Sequence, residues 1–89
     1  MSNAVMDRIK AGATVVDVRT PEEFADGAYP GALNIPVQDL MRRSAEIPKG
    51  KPVVLYCASG ARSAMGVRML KACGFLDVVN GGGLDDMPR

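Results

Sequence analysis

Cys57 is the side chain with the clearest capacity for chemistry in this 89-residue chain, and it opens the segment Cys57-Ala58-Ser59-Gly60-Ala61-Arg62-Ser63. The small residues after the cysteine allow backbone N–H groups to turn inward, and Gly60 permits the conformations that such a turn needs. A helix-like run follows, so the thiol should lie at a helix N-terminus with Arg62 nearby. We therefore expect the pKa of Cys57 to lie below the value of about 8.5 for a free thiol, which gives a nucleophilic thiolate at neutral pH.

The chain contains no histidine and only two cysteines, Cys57 and Cys73. The absence of histidine excludes Ser-His-Asp and Cys-His catalytic pairs and imidazole metal ligands. Two cysteines are too few for a four-cysteine zinc site within one chain. We expect no metal and no cofactor. A resolving role for Cys73 is disfavoured, because a helix between the two cysteines would separate them by on the order of 15 Å. We predict that Cys73 is a buried structural cysteine.

Arg62 is predicted to lie in the first turn of the helix, where a positive charge opposes the helix dipole at a cost of about 0.3–1 kcal/mol. Either an anionic substrate or a nearby carboxylate should offset this cost, and the sequence leaves both explanations open. Upstream, Thr20-Pro21-Glu22-Glu23 is a helix-start signal, and capping accounts for both glutamates there.

The strands that would position Cys57 are short aliphatic runs, predicted over 14–18, 32–35, 53–56 and 77–79. Helices are predicted from a cap at Asn3 to Gly12, for one or two turns after Thr20, over 37–45 and over 63–73. In the last two helices the packing candidates are Val37, Leu40 and Met41, and Met65, Met69 and Leu70. Residues 80–83 are predicted to form a flexible turn.

Aliphatic strands that alternate with helices favour a small parallel sheet flanked by helices, which is the α/β class. Such sheets bind ligands outside the carboxyl ends of their strands. Cys57 directly follows the strand over 53–56, so it is predicted to lie at that edge. The length fits a single domain over residues 1–89.

Charge and hydropathy exclude further classes of protein. Lysine and arginine number 11 and aspartate and glutamate 10, a formal net charge of +1 that argues against a nucleic-acid partner. The apolar runs over 15–16 and 53–55 are too short to cross a bilayer, so we expect no membrane partner. The start of the chain shows no apolar signal-peptide segment, and the compartment cannot be read from it. Two cysteines in a small chain fit a reducing compartment, so we expect the cytoplasm, or the periplasm if a signal peptide has been removed.

The loop over 57–63 resembles the C-x-x-G-x-R-S active-site loop of rhodanese (thiosulfate sulfurtransferase) domains. Two upstream segments are similar as well: residues 17–24 resemble D-V-R-x-x-x-E-[FY], and residues 27–36 resemble G-H-I-P-G-A-x-N-I-P. Residues 81–84 resemble the closing glycine turn. The resemblance covers residues 4–84 and is greatest to compact single-domain rhodaneses of the phage-shock type.

The resemblance implies a three-layer rhodanese fold and a sulfur-transfer chemistry. Thiolate Cys57 would take the sulfane sulfur of thiosulfate as a persulfide and pass it to cyanide or a thiol, with a sulfur-acceptor protein as a further candidate partner. The residues that would bind the substrate sulfur are Ala58, Ser59, Gly60, Ala61, Arg62 and Ser63. The resemblance also gives Asp17 and Arg19 a supporting role, as an ion-pair and hydrogen-bond frame beneath the loop.

Departures from the family pattern leave alternatives open. Ala28 replaces the usual histidine at the rim, and Ala58 and Ser59 are uncharged where thiosulfate-preferring enzymes often carry a basic residue. The donor, the acceptor and the oligomeric state therefore stay open, as does whether Tyr29 lines the site or packs. The rival functions are a non-catalytic rhodanese-like binding or sulfur-carrier module, and a cysteine phosphatase or arsenate reductase. Phosphatase loops have one more residue between cysteine and arginine than the four found here.

Overall fold

The computed structural model describes residues 3–89. The helices are α1 Asn3–Lys10, α2 Pro21–Ala25 and α3 Ala61–Ala72, and the strands are β1 Thr14–Asp17, β2 Leu33–Asn34, β3 Val53–Cys57 and β4 Val78–Gly83. Short 3-10 turns occupy Val37–Asp39, Ser44–Glu46 and Leu84–Asp86. The predicted cap at Asn3 concerns a side chain outside the described part of the chain.

The four strands form one sheet in the order β2-β1-β3-β4. All three strand pairs are parallel, so their carboxyl ends meet at one edge of the sheet. Cys57 is the last residue of β3 and lies opposite Gly83 of β4, after a register irregularity that begins at Leu55. The prediction of a small parallel sheet in an α/β fold is confirmed.

The side chains of β3 alternate between two hydrophobic clusters, one on each face of the sheet. Val53, Leu55 and Cys57 belong to the cluster that includes Leu70 of α3. Val54 and Tyr56 belong to the second cluster, which includes Val5 of α1. All five β3 residues are fully buried, and each large aliphatic one contributes roughly 1.5–3 kcal/mol through burial. The sheet is thus the middle of three layers, as predicted.

The helix predicted over 37–45 is wrong. The segment forms 3-10 turns at Val37–Asp39 and Ser44–Glu46. Leu40 is fully buried, whereas Met41 is 52% exposed. Leu40 alone is buried in this segment and holds it against the core. A continuous amphipathic helix would need a stripe of buried apolar side chains, which the segment lacks.

The flexible turn predicted over 80–83 is also wrong, because these residues belong to strand β4, Val78–Gly83. Glycine is required here by a close approach of two backbones: a Cβ atom at Gly83 would overlap the carbonyl oxygen of Ala58. The glycines therefore let β4 pass directly beside the cysteine loop.

Helix α3 packs Leu70 and, in part, Met69 against the core as predicted, but Met65 lies outside that face. Its buried residues are Ser63, Gly66 and Leu70, at helical spacing on one face. Gly66 brings the helix close to the sheet, since a Cβ atom there would lie 2.8 Å from Leu55 Cδ1. Met65 consequently points outward and is 54% exposed, contrary to its predicted packing role. Cys73 follows α3 as its C-cap and is partly exposed rather than buried.

Candidate active site

Cys57 is fully buried at the carboxyl end of β3, where the chain turns into the loop before α3. Its Sγ accepts a hydrogen bond from the N–H of Gly60 at 3.0 Å. Ser63 Oγ lies 3.5 Å from the same sulfur atom. The fold thus brings Gly60 and Ser63 of the predicted loop within hydrogen-bonding distance of the Cys57 sulfur atom.

The pKa of Cys57 is lowered from 9.0 to about 7 by its surroundings. Burial by itself raises the pKa, because it penalises the charged form. Hydrogen bonds outweigh that effect: first the bond that the Ser63 hydroxyl makes when it donates to the sulfur, then those from the backbone N–H groups of Ser63, Ser59 and Gly60. A large fraction of the thiol is therefore ionised at neutral pH without an imidazole.

Gly60 shapes this cradle and begins helix α3. Its φ of +99° lies in the left-handed region, which a residue with a side chain adopts only at a cost. A Cβ atom at Gly60 would also lie 3.3 Å from the Cα of Gly82. Both observations make glycine the residue that this position requires.

The rest of the loop forms the mouth of the site. Ala58, Ser59 and Ala61 are exposed around the buried Cys57, while Ser63 is fully buried below them. The first N–H groups of an α-helix have no partner within the helix, and Gly60 provides no capping side chain. The start of α3 therefore offers N–H donors to an anion.

Arg62 pairs with a carboxylate, which decides between the two explanations left open by the sequence. Its Nη1 and Nη2 donate to the two carboxylate oxygens of Glu23 at 2.8 and 3.0 Å. The prediction that Glu23 serves only as a cap is wrong. It caps α2 through Thr20, whose N–H donates to Glu23 Oε1 at 2.9 Å, and it also binds Arg62. These bonds, first those from Arg62, lower the pKa of Glu23 to about 2.

Asp17 and Arg19 form a buried ion pair at the carboxyl end of β1, with Arg19 Nη2 2.7 Å from Asp17 Oδ2. Asp17 is fully buried, and Arg19 is 7% exposed. Arg19 Nη2 also donates to the carbonyl oxygen of Gly27 at 2.7 Å. Tyr56 Oη donates to Asp17 Oδ2 at 2.7 Å, which links the pair to the residue before Cys57. Burial, together with this bond, raises the pKa of Tyr56 to about 12.

Asn80 is the polar residue of this edge that the sequence interpretation missed. Its Oδ1 accepts from Ser63 Oγ at 2.6 Å, and its Nδ2 donates to the carbonyl oxygen of Gly60 at 3.0 Å. A polar side chain at the end of an aliphatic run, directly before three glycines, was the available signal. Because residues 80–83 were predicted to form a flexible turn, this signal was not interpreted as part of the site.

Tyr29 lines a cavity that lies away from the loop at Cys57. The cavity has a volume of about 720 Å³ and is lined by Ile9, Gly27, Ala28, Tyr29, Pro30, Leu84, Pro88 and Arg89. None of the loop residues 57–63 belongs to that lining. Within residues 3–89, no group of three or more cysteine, aspartate or glutamate side chains could hold a metal ion. None of the helices in the same range is long and apolar enough to cross a membrane.

Comparisons with known proteins agree on one family. The model of the rhodanese-like domain matches residues 2–86. A sulfurtransferase of Allochromatium vinosum is 46% identical over 66 residues, which are 74% of this chain and 62% of that protein. The thiosulfate sulfurtransferase PspE of Escherichia coli is 37% identical over 78 residues, which are 83% of this chain and 75% of that protein.

A solved structure supports the same assignment. The E. coli structure described as rhodanese with anions superposes with a TM-score of 0.77 at 35% identity, and the match covers 85% of this chain and 94% of that one. Because the family model, the relatives and the fold agree over most of its length, the chain belongs to the rhodanese-like domain family.

Proposed function

We propose that this chain is a sulfurtransferase in which Cys57 carries a sulfane sulfur, as a persulfide, from thiosulfate or a related donor to cyanide or a thiol. The observation that carries the proposal is the hydrogen-bonded sulfur of Cys57, which lies 3.0 Å from the N–H of Gly60. Its pKa of about 7 gives a thiolate without a general base.

In the first half-reaction the Cys57 thiolate attacks the outer sulfur of thiosulfate. A new S–S bond forms on Sγ while the sulfur–sulfur bond of thiosulfate breaks, and sulfite leaves with the bonding electron pair. The enzyme then carries an outer sulfur with a negative charge. The free N–H groups at the start of α3 are placed to stabilise that charge, and because the fold holds them in position they need no reorganisation.

In the second half-reaction a nucleophilic acceptor attacks the outer sulfur and the persulfide bond breaks. Cys57 leaves as a thiolate, which the hydrogen bond from the Gly60 N–H stabilises. Cyanide would leave as thiocyanate, and a thiolate would leave as a persulfide. Because the two substrates react in turn with one group, we expect ping-pong kinetics.

Arg62 acts in this mechanism as a positioning residue. Its two bonds to Glu23 join the start of α3 to α2 across the loop. The Glu23 carboxylate opposes its charge and occupies its donors, so backbone N–H groups rather than the guanidinium would bind the sulfur. Within the described loop 57–63, Arg62 is the one cationic side chain and it is paired with Glu23, which favours donors of low charge over the thiosulfate dianion.

Asp17 and Arg19 are proposed to support the site from below. Breaking a buried pair of this kind leaves an uncompensated charge and costs about 3–5 kcal/mol. The hydrogen bond from Tyr56 to Asp17 joins the carboxyl ends of β1 and β3. It would thereby hold Cys57, the next residue of β3, in a fixed position relative to β1. Neither charged side chain is assigned a contact with the substrate.

The deciding experiment is an intact-mass measurement after incubation with thiosulfate. We expect a gain of one sulfur atom that cyanide reverses, that is absent in Cys57→Ser and that is retained in the matched control Cys73→Ser. An unmodified wild-type protein with every donor tried would refute the proposal and favour a non-catalytic binding module. Retention of the sulfur in the presence of small acceptors, with loss to a protein acceptor, would favour a sulfur carrier.

A phosphatase or arsenate reductase is the second chemical candidate. Four residues separate Cys57 from Arg62, one fewer than in the loops that surround a tetrahedral oxyanion. The bidentate bond to Glu23 also occupies the guanidinium that would bind such an anion. Hydrolysis of an aryl phosphate by the wild type, lost in Cys57→Ser, would overturn the sulfur-transfer assignment.

A further inference from the structure

Asn80 lies at the centre of a hydrogen-bond network that ends at Cys57. Its Oδ1 accepts from Ser63 Oγ at 2.6 Å and from the N–H of Gly82 at 2.8 Å. Its Nδ2 donates to the carbonyl oxygen of Gly60 at 3.0 Å. Ser63 Oγ in turn lies 3.5 Å from Cys57 Sγ. A side chain on β4 is thereby connected, through one hydroxyl group, to the proposed nucleophile.

The orientation of the Asn80 amide is determined by its two backbone partners. Gly82 offers an N–H, which can only donate, and Gly60 offers a carbonyl oxygen, which can only accept. A reversed amide would place two donors together at Gly82 and two acceptors together at Gly60. Oδ1 therefore faces Ser63, and it can only accept a proton from that hydroxyl group.

The Ser63 hydroxyl group has one proton and three acceptors within reach. These are Asn80 Oδ1 at 2.6 Å, the carbonyl oxygen of Gly60 at 3.2 Å and Cys57 Sγ at 3.5 Å. A hydroxyl that donates to Asn80 turns a lone pair toward Cys57, where it can accept from the thiol but cannot donate to the thiolate. Stabilisation of the thiolate by Ser63 therefore requires that the hydroxyl give up its short bond to Asn80.

We propose that Asn80 is a positioning residue that controls the ionisation of Cys57 by competing with the thiolate for the hydroxyl proton of Ser63. This inference rests on the proposed role of Cys57 as nucleophile. Nucleophilicity falls as the pKa of a thiol falls, and the best attacking thiol has a pKa near the ambient pH. Asn80 thus prevents overstabilisation of the thiolate, which keeps Cys57 both ionised and reactive near neutral pH.

Charged groups near Cys57 come from four other elements. Arg62 of α3 is paired with Glu23 of α2. Arg19, just after β1, is paired with Asp17 at the end of β1. Asp86 lies in the turn after β4, where its Oδ2 accepts a backbone N–H at 2.8 Å. Substitutions that remove only neutral groups leave all five charges in place. A shift in the ionisation of Cys57 in such variants reports on the hydroxyl proton.

The test measures the pH dependence of Cys57 alkylation by iodoacetamide in a Cys73→Ser background. Asn80→Ala releases the Ser63 proton to the thiolate, so we expect the pKa of Cys57 to fall by about one unit, roughly a tenfold gain in the thiolate-to-thiol ratio. Asn80→Asp keeps an acceptor for the Ser63 proton, so the pKa of Cys57 in this variant should lie at or above the wild-type value. In a Ser63→Ala background, Asn80→Ala should leave the pKa unchanged.

A purely structural role for Asn80 gives a different pattern. A loosened loop would weaken the N–H bonds to the sulfur and raise the pKa of Cys57 in Asn80→Ala, whether or not Ser63 is present. That result, an unchanged pKa in Asn80→Ala, or a lowered pKa in Asn80→Asp would overturn the proposal. Alkylation reads ionisation without sulfur transfer, so the outcome is distinguishable from failure of the proposed activity.

Discussion

The ionisation of Cys57 should make the stability of the fold depend on pH. The native pKa is lowered from 9.0 to about 7. Between these two values the unfolded chain holds the thiol proton and the native chain has released it. Stability therefore rises with pH in this window, because the unfolded state binds more protons than the native state.

The size of the effect follows from the two pKa values of Cys57. One unit of pKa difference corresponds to 1.36 kcal/mol, so the lowered value contributes roughly 2–3 kcal/mol to the free energy of unfolding. The contribution is fully present above about pH 9, falls as the pH falls toward 7, and is absent below the native pKa. For a domain of this size, a difference of that order is a large part of the total stability.

The assay is urea unfolding under reducing conditions at several pH values between 6 and 9.5, comparing the wild type with Cys57→Ser. Serine does not titrate in this range, so the variant should lack the rise of about 2–3 kcal/mol that the wild type shows. Cys73→Ser is the matched control and should behave as the wild type. Equal pH slopes in the wild type and Cys57→Ser would refute the reasoning, since they would show that the native environment does not stabilise the thiolate.

Three further outcomes are expected from single substitutions. Gly60→Ala should lower the free energy of unfolding by about 1–3 kcal/mol, because alanine is strained at φ +99°, and thermal unfolding measures this. Tyr56→Phe removes a donor from the buried Asp17 carboxylate and should cost about 1.5–3 kcal/mol in urea unfolding. Glu23→Gln keeps the cap but frees the charge of Arg62, so kcat/KM for thiosulfate should rise relative to a neutral donor, and equal changes for both donors would contradict the charge argument.

Local sequence was sufficient for the elements that depend on neighbouring residues. The aliphatic runs of β1 and β3 predicted buried strands, and Thr20 with Glu23 predicted a capped helix; both features are present. The prediction of a helix over 37–45 was wrong, because Leu40 alone is buried there. Sequence periodicity cannot distinguish a single buried side chain from a stripe of buried side chains. The catalytic role of Cys57 is supported by its surroundings and stays a prediction.

Partners that are distant in the chain could not be predicted. Arg62 and Glu23 are separated by 39 positions, as are Tyr56 and Asp17, and the partner of each depends on how α2, α3 and the strands are placed. The sequence left the partner of Arg62 open between a substrate and a carboxylate. Packing decided it, because α2 and α3 start at the same edge of the sheet.

The sequence by itself determined that a thiolate without an imidazole could form here, since cysteine, small loop residues and a helix start are adjacent along the chain. Tertiary structure alone decided which distant side chain contacts the cysteine loop. The order β2-β1-β3-β4 places β4 beside β3, and this brings Asn80 to within 2.6 Å of Ser63 across 17 positions. The physical reason is that register between parallel strands, unlike a turn or a cap, is a property of the whole sheet.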